Sequence, residues 1–345
     1  MKPGDLPSPD AAAATATPSP ASPAAQPHQA GAHSTEGREG LATGYVDLQV
    51  NGYVGVDFND PRTSPEAIGQ AAEAMVADGV ACALPTVITG DIAEMVQCIA
   101  NIRQAVQSFP QAAAVFQGLH IEGPFLSPEP GYIGAHPVRH AHAQDLAALE
   151  QLIAAGGGLV RLVTLAPEID SGGKLTKLCR ERGILVAAGH TNASLEQLDE
   201  CIAAGLRLFT HLSNGCPRLM DRHDNIIYRA LRRADQLRFT LIADGFHVPE
   251  LLFRNLLQWV APDRLAVVSD AISAAGLGPG TFQLGERQVV IGPDRAARDA
   301  SGEHFVGSAS TMRDADRWLK DVMGLSQLHR EQLLRNNPND WLASA

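Results

Sequence analysis

The chain lacks any cysteine pairing pattern. Its five cysteines, Cys82, Cys98, Cys179, Cys201 and Cys216, are scattered with no CxxC spacing. Neither a disulfide framework nor a thiolate zinc site is therefore indicated, and a reducing compartment fits best. There is also no apolar run near the ~20 residues that span a bilayer, and the N-terminus does not carry the charged-then-apolar pattern of a secretory signal. The expectation is a cytoplasmic protein with no membrane partner. Basic clusters are missing as well: 27 Lys and Arg stand against 38 Asp and Glu, a formal net charge of -11. That argues against a nucleic-acid partner, while a few local Arg or His side chains still suffice to hold a small anion. Residues 1–40 have no large apolar side chains beyond Met1 and Leu6, so a disordered Ala/Pro-rich tail is expected there.

What is present is an alternation. From Gly44 onward, short β-branched runs alternate with Ala/Leu/Glu-rich segments of helical period, the pattern of βαβ units. Strands are predicted at residues 45–50, 81–87, 115–121, 159–165, 184–188, 206–210, 238–243 and 265–269. Helices are predicted at 65–77, 92–107, 143–155, 194–204 and 249–260, with two more, at 310–323 and 326–334, near the C-terminus. Eight βα repeats predict an α/β fold closed as a (β/α)8 TIM-like barrel over residues 44–345, the alternative being an open doubly wound sheet. A Gly-rich insertion at 276–307, with a hairpin around 282–291, follows the last strand.

Chemistry-bearing residues fall at the strand ends. Glu122, His190 and His211 end strands three, five and six, and Asp270 ends strand eight. In a barrel these positions converge on one rim, however far apart they lie in the chain. One Glu with two His is a catalytic zinc set that leaves a fourth position for water, and Asp270 is placed to face that water. A lone His or Asp at a strand end is more often a cap than a ligand, but four at regular strand ends are poorly explained that way. His120 shares the face of Glu122 by the two-residue strand period and is expected to orient the site rather than ligate.

The stretches Asp47-Leu-Gln-Val-Asn-Gly52, His120-Ile-Glu-Gly-Pro-Phe125, Gly134-Ala-His136, Gly189-His-Thr-Asn192, Thr210-His-Leu-Ser-Asn214, Ala243-Asp-Gly-Phe-His247, Ser269-Asp-Ala271 and Gly307-Ser308 occur in one order over residues 44–312. Together they resemble the N-acetylglucosamine-6-phosphate deacetylases of the amidohydrolase superfamily. The resemblance implies metal-dependent hydrolysis of an N-acetyl group, with Asp270 as general acid and base and His136 polarising the carbonyl. It further implies that Asn214, Gly215, Arg222 and His247 bind the sugar phosphate. By the same analogy the enzyme is a homodimer in which the arginine comes from the neighbouring subunit. Gln49 and Asn51 stand where many amidohydrolases carry His-x-His for a second metal; neutral amides are poor zinc ligands, so one divalent ion, zinc, is expected.

Two departures qualify the substrate. The family's small β-sandwich is expected to be missing, and the segment from Asn214 to Asn225 differs from the usual Asn-Ala-Met-Pro form. The alternatives are a deacetylase for another N-acyl amino sugar, unphosphorylated or of a different epimer, and a non-catalytic sugar-phosphate-binding protein. A surface salt-bridge cluster of Arg222 with Asp221 and Asp224 is the competing reading of that arginine.

Overall fold

Eight short runs rich in Val, Leu, Ile and Ala form the sheet at the centre of the computed structural model, which describes residues 44–345 except 285–286, 293–295, 300–306 and 345. The expected tail at 1–40 and the end of the Gly-rich insertion lie outside the described residues. The strands are β1 (Tyr45–Val50), β2 (Val80–Ile88), β3 (Leu119–Glu122), β4 (Val160–Leu165), β5 (Leu185–Ala188), β6 (Leu208–Phe209), β7 (Arg238–Ile242) and β8 (Leu265–Val268). Each pairs in parallel with the next, in chain order. The ring closes through a parallel bridge between Val50 and Ala271. There the Asp270 N–H donates to the Gln49 carbonyl at 2.9 Å and the Asn51 N–H to the Ala271 carbonyl at 2.7 Å. The strands are buried almost throughout, as expected when helices cover the outside of a parallel sheet.

The helices are α1 (Pro65–Ala77), α2 (Ile92–Ser108), α3 (Pro110–Val115), α4 (Leu146–Gly156), α5 (Lys174–Glu181), α6 (Leu195–Ala204), α7 (Ile226–Leu231), α8 (Glu250–Trp259), α9 (Met312–Asp321), α10 (Gln327–Glu331) and α11 (Asn337–Ala343). Their starts follow local chemistry. Ser64 accepts from the Ala67 N–H with Pro65 at the first helical position, and Ser194 with Gln197 forms a capping box on α6; both satisfy N–H groups that a helix start leaves open. The apolar run at 115–121 divides instead of forming one strand. Pro110 starts α3, which runs to Val115, and β3 begins only at Leu119. Likewise the helix expected from 143 begins at Leu146, because the Asp145 carboxylate caps Ala147 and Ala148.

The barrel interior is layered. At its floor Val46, Leu48, Leu84, Leu162, Leu185, Leu208, Ile242 and Val268 pack against Trp341 and Leu342 of α11. The Trp341 indole N–H donates to the Asp263 carbonyl at 3.2 Å and Arg161 to the Leu342 carbonyl at 2.6 Å, so α11 plugs the end of the barrel away from the chemistry. Above this lies a buried polar layer of Asp47, Gln49, Thr86, His120, Thr164, Thr210 and Thr240. The insertion does form the expected hairpin: its strands Gly280–Leu284 and Arg287–Ile291 pair antiparallel, and Ala297–Asp299 adds a third. Among the described residues no helix is long and apolar enough to cross a membrane.

Candidate metal centre

Three of the rim residues sit two positions past a strand end with left-handed backbone: His190 (φ 50°), His211 (φ 29°) and Asp270 (φ 47°). For a residue with a Cβ this conformation costs ~1–2 kcal/mol, and hydrogen bonds around it hold it in place. The His211 N–H donates to Thr240 Oγ1 at 2.8 Å, the His190 carbonyl accepts from the Ser127 N–H at 3.0 Å, and the Asp270 N–H is held by Gln49. Such outliers concentrate where side chains must be aimed. Here the turn tips each side chain off its strand toward Glu122.

Glu122 is the centre of the group and only 2% exposed. Its Oε1 lies 2.9 Å from His211 Nε2 and 3.5 Å from His190 Nε2, and its Oε2 lies 3.8 Å from His136 Nε2. The donor atoms of Glu122, His136 and His190 all lie within 4.8 Å of one another. His211 is outside that mutual group and joins through its bond to Glu122. The His190 ring is fixed from behind, with Nδ1 2.8 Å from the Tyr132 carbonyl. A carbonyl only accepts, so Nδ1 carries a proton, and Nε2 is the nitrogen turned toward Glu122. Gly134 and Gly215 clamp the same ring: a Cβ on Gly134 would come within 3.0 Å of it and one on Gly215 within 2.8 Å.

Amides bind the two carboxylates together. Gln49 Nε2 donates to Glu122 Oε1 at 3.0 Å and to Asp270 Oδ1 at 3.1 Å, and Asn51 Nδ2 donates to Asp270 Oδ1 at 2.7 Å. Behind them Thr210 Oγ1 meets Gln49 Oε1 at 2.6 Å. Burial alone would raise the Glu122 carboxyl, but the His190 and His211 bonds and the nearby imidazole charges hold it well below the usual range. Burial raises Asp270, opposed by the charge of His211 and the Asn51 bond and reinforced by the charge of Glu122. For His211, burial disfavours the proton but the Glu122 bond and the Glu122 and Asp270 charges outweigh it, so its pKa is raised. His120 lies within the barrel, with Nε2 2.8 Å from Thr164 Oγ1; burial pushes it down to about 4.

The expected phosphate-binding residues are more dispersed. Arg222 is exposed on the loop before α7 and has no ion pair among the described residues. The salt-bridge cluster suggested for it is not formed: Asp221 accepts the N–H groups of His223 and Asp224, and Asp224 pairs with Arg229 at 2.6 Å. His247 Nδ1 meets Asp244 Oδ2 at 2.6 Å with both side chains buried, near enough to Asp270 for its charge to lower that carboxyl. Asn214 Nδ2 is buried without a hydrogen-bond partner, and Gly215 lies against His190. Sequence reasoning missed Gln49 and Asn51 as donors to the carboxylates. The signal was available: Asp47 and Gln49 within β1 and Asn51 just past its end recur at period two among apolar residues.

An α/β barrel whose rim gathers a buried glutamate, three imidazoles and an aspartate is the architecture of a metal-dependent hydrolase. No family model matches the chain. It is 33% identical over 311 residues to the human N-acetylglucosamine-6-phosphate deacetylase, covering 85% of this chain and 74% of the relative. It is 32% identical over 305 residues to the N-acetylgalactosamine-6-phosphate deacetylase of Shewanella sp. (strain ANA-3), covering 88% and 74%. Among solved structures, a mutant N-acetyl-D-glucosamine-6-phosphate deacetylase from Mycobacterium smegmatis in complex with N-acetyl-D-glucosamine-6-phosphate aligns with a TM-score of 0.78 at 26% identity, covering 88% of this chain and 78% of that one. The chain belongs to the N-acetylglucosamine-6-phosphate deacetylase family and is an amide-hydrolysing enzyme.

Proposed function

We propose that the chain hydrolyses the N-acetyl group of N-acetylglucosamine 6-phosphate, giving glucosamine 6-phosphate and acetate, with one zinc ion held by Glu122, His190 and His211. The observation that carries this reading is the buried Glu122 carboxylate facing imidazole nitrogens at 2.9, 3.5 and 3.8 Å. Ligands ~2.0–2.2 Å from one ion lie ~3–4 Å from each other; the Glu122–His190 and Glu122–His211 distances fall in that range, and His211, which stands outside the mutual group of Glu122, His136 and His190, would exchange its hydrogen bond to Glu122 for the ion. One carboxylate with imidazoles is a donor set suited to zinc.

A divalent ion in this position supplies Lewis acidity that brings the ionisation of water down toward neutral pH. The chain's own residues then move the protons. Asp270 Oδ1 is engaged by Gln49 and Asn51, which leaves Oδ2 to accept the proton of the attacking water and return it to the departing amine. His136 donates to the acetamide oxygen as negative charge develops there. Arg222 and His247 hold the phosphate, and Asn214 and Gly215 contribute polar groups to the sugar. A guanidinium gives a planar two-point grip on phosphate that suits an anionic substrate on an acidic protein. Arg222 acts from a neighbouring subunit in a homodimer.

Acetate release from N-acetylglucosamine 6-phosphate, lost on chelation and restored by zinc, is the test. Equal turnover of the unphosphorylated sugar would remove the phosphate from the reading. The N-acetylgalactosamine epimer is a second reading, favoured by the 32% identity to an enzyme named for it, and the same assay with both epimers separates the two.

A further inference from the structure

Asp270 has to keep a strained backbone and a fixed carboxylate direction at the one seam of the barrel that no regular strand ladder closes. The residue before it, Ser269, is tied across that seam to Asp47 on β1. The Ser269 N–H donates to Asp47 Oδ1 at 3.1 Å and its hydroxyl donates to Asp47 Oδ2 at 2.5 Å. The same hydroxyl oxygen accepts the Ala271 N–H at 3.1 Å, so one side chain anchors the residues on both sides of Asp270. Asp47 is 1% exposed and Ser269 3%. The Gln49 N–H also reaches Asp47 Oδ1, at 3.3 Å, which links this brace to the amide that touches Asp270 itself.

A buried carboxylate is costly unless it is fully hydrogen-bonded, and closing a barrel seam does not require one, since an apolar contact would serve. We propose that Asp47 and Ser269 form a positioning pair that holds Asp270 in its left-handed turn and aims its carboxylate at the attacking water. This rests on the reading of Asp270 as the general acid and base. Neither residue touches the reacting atoms; both act through Asp270.

The test uses the full-length, metal-loaded enzyme and the variants Ser269→Ala, Ser269→Thr, Asp47→Asn and Asp270→Asn. Displacement of a catalytic group by ~1 Å costs about 10²-fold, so Ser269→Ala and Asp47→Asn should lose roughly 10–100-fold in kcat. KM and metal content should stay at wild-type values, and Ser269→Thr, which keeps the hydroxyl, should recover most of the kcat. A merely structural brace would instead lower kcat only in step with the folded, metal-loaded fraction, or would fail equally in the threonine variant. Either result overturns the proposal, as does unchanged kcat in Ser269→Ala. Wild-type activity in Asp270→Asn would sink the underlying role of Asp270; a dead Asp270→Asn beside a fully active Ser269→Ala sinks the positioning pair alone.

Discussion

Gln49→Leu replaces an amide by an apolar group of similar size and removes the fork that joins Glu122 to Asp270. The orientation of that amide is fixed by chemistry: both carboxylates only accept, so the NH2 group must face them, at 3.0 and 3.1 Å, with the carbonyl turned to Thr210. A hydrogen bond to a charged group contributes ~1.5–3 kcal/mol. Losing the share that steers Asp270 should cost about one such bond in the transition state, or ~10²-fold in kcat/KM, equivalent to ~2.7 kcal/mol. Thr210→Val removes the contact at 2.6 Å behind the amide and a longer one, 3.4 Å, to Thr240 Oγ1, and should cost less, ~3–10-fold, about the worth of one neutral hydrogen bond. The two effects should not add in the double variant, because Thr210 acts through Gln49. Steady-state kinetics on acetate release reads all three. Gln49→Leu within ~3-fold of wild type, or strict additivity with Thr210→Val, would refute the reasoning.

Further outcomes follow from the same contacts. His120 is held near about 4 in the folded protein against 6.5 when free, so the unfolded chain binds the extra proton between those values. Stability should therefore fall as pH drops through 6.5 and level off near 4, a loss of ~2 kcal/mol at pH 5; urea titrations of His120→Gln should show a pH 8-to-5 loss smaller by that amount. Trp341→Ala should cost ~3–5 kcal/mol by opening the barrel floor, read from the urea midpoint, while Trp341→Phe should lose ~1 kcal/mol with the indole hydrogen bond. Gly215→Ala should push on the His190 ring and weaken zinc affinity ~10–100-fold in competition with a chelator, and unchanged affinity would show that the clamp has slack.

Much of this was legible in the residues. The eight strands followed from apolar runs alternating with helical period, and Glu122, His190, His211 and Asp270 stood out because each follows such a run. Their convergence was legible only through the barrel hypothesis, since nothing local brings Glu122 to His211. The strand boundaries were harder. The expected strand at 206–210 shortens to Leu208–Phe209; past it His211 turns into the left-handed region, its N–H bound to the Thr240 hydroxyl rather than to a strand carbonyl, a tertiary demand with no composition signal. α11 was unreadable for a related reason: it is stabilised by Trp341 filling the barrel floor rather than by a long amphipathic repeat. The role of Gln49 and Asn51 was read from what they do not do, bind metal, whereas their donor groups facing two carboxylates emerge only when β1 and β8 are brought together.

The central claim is that one cation sits where Glu122, His190 and His211 converge. Anomalous scattering at the zinc edge from crystals of the zinc-loaded enzyme tests it most directly. The account predicts a single peak ~2.0–2.2 Å from a carboxylate oxygen of Glu122 and a ring nitrogen of each histidine; a peak that excludes Glu122, or none at the barrel rim, would contradict it.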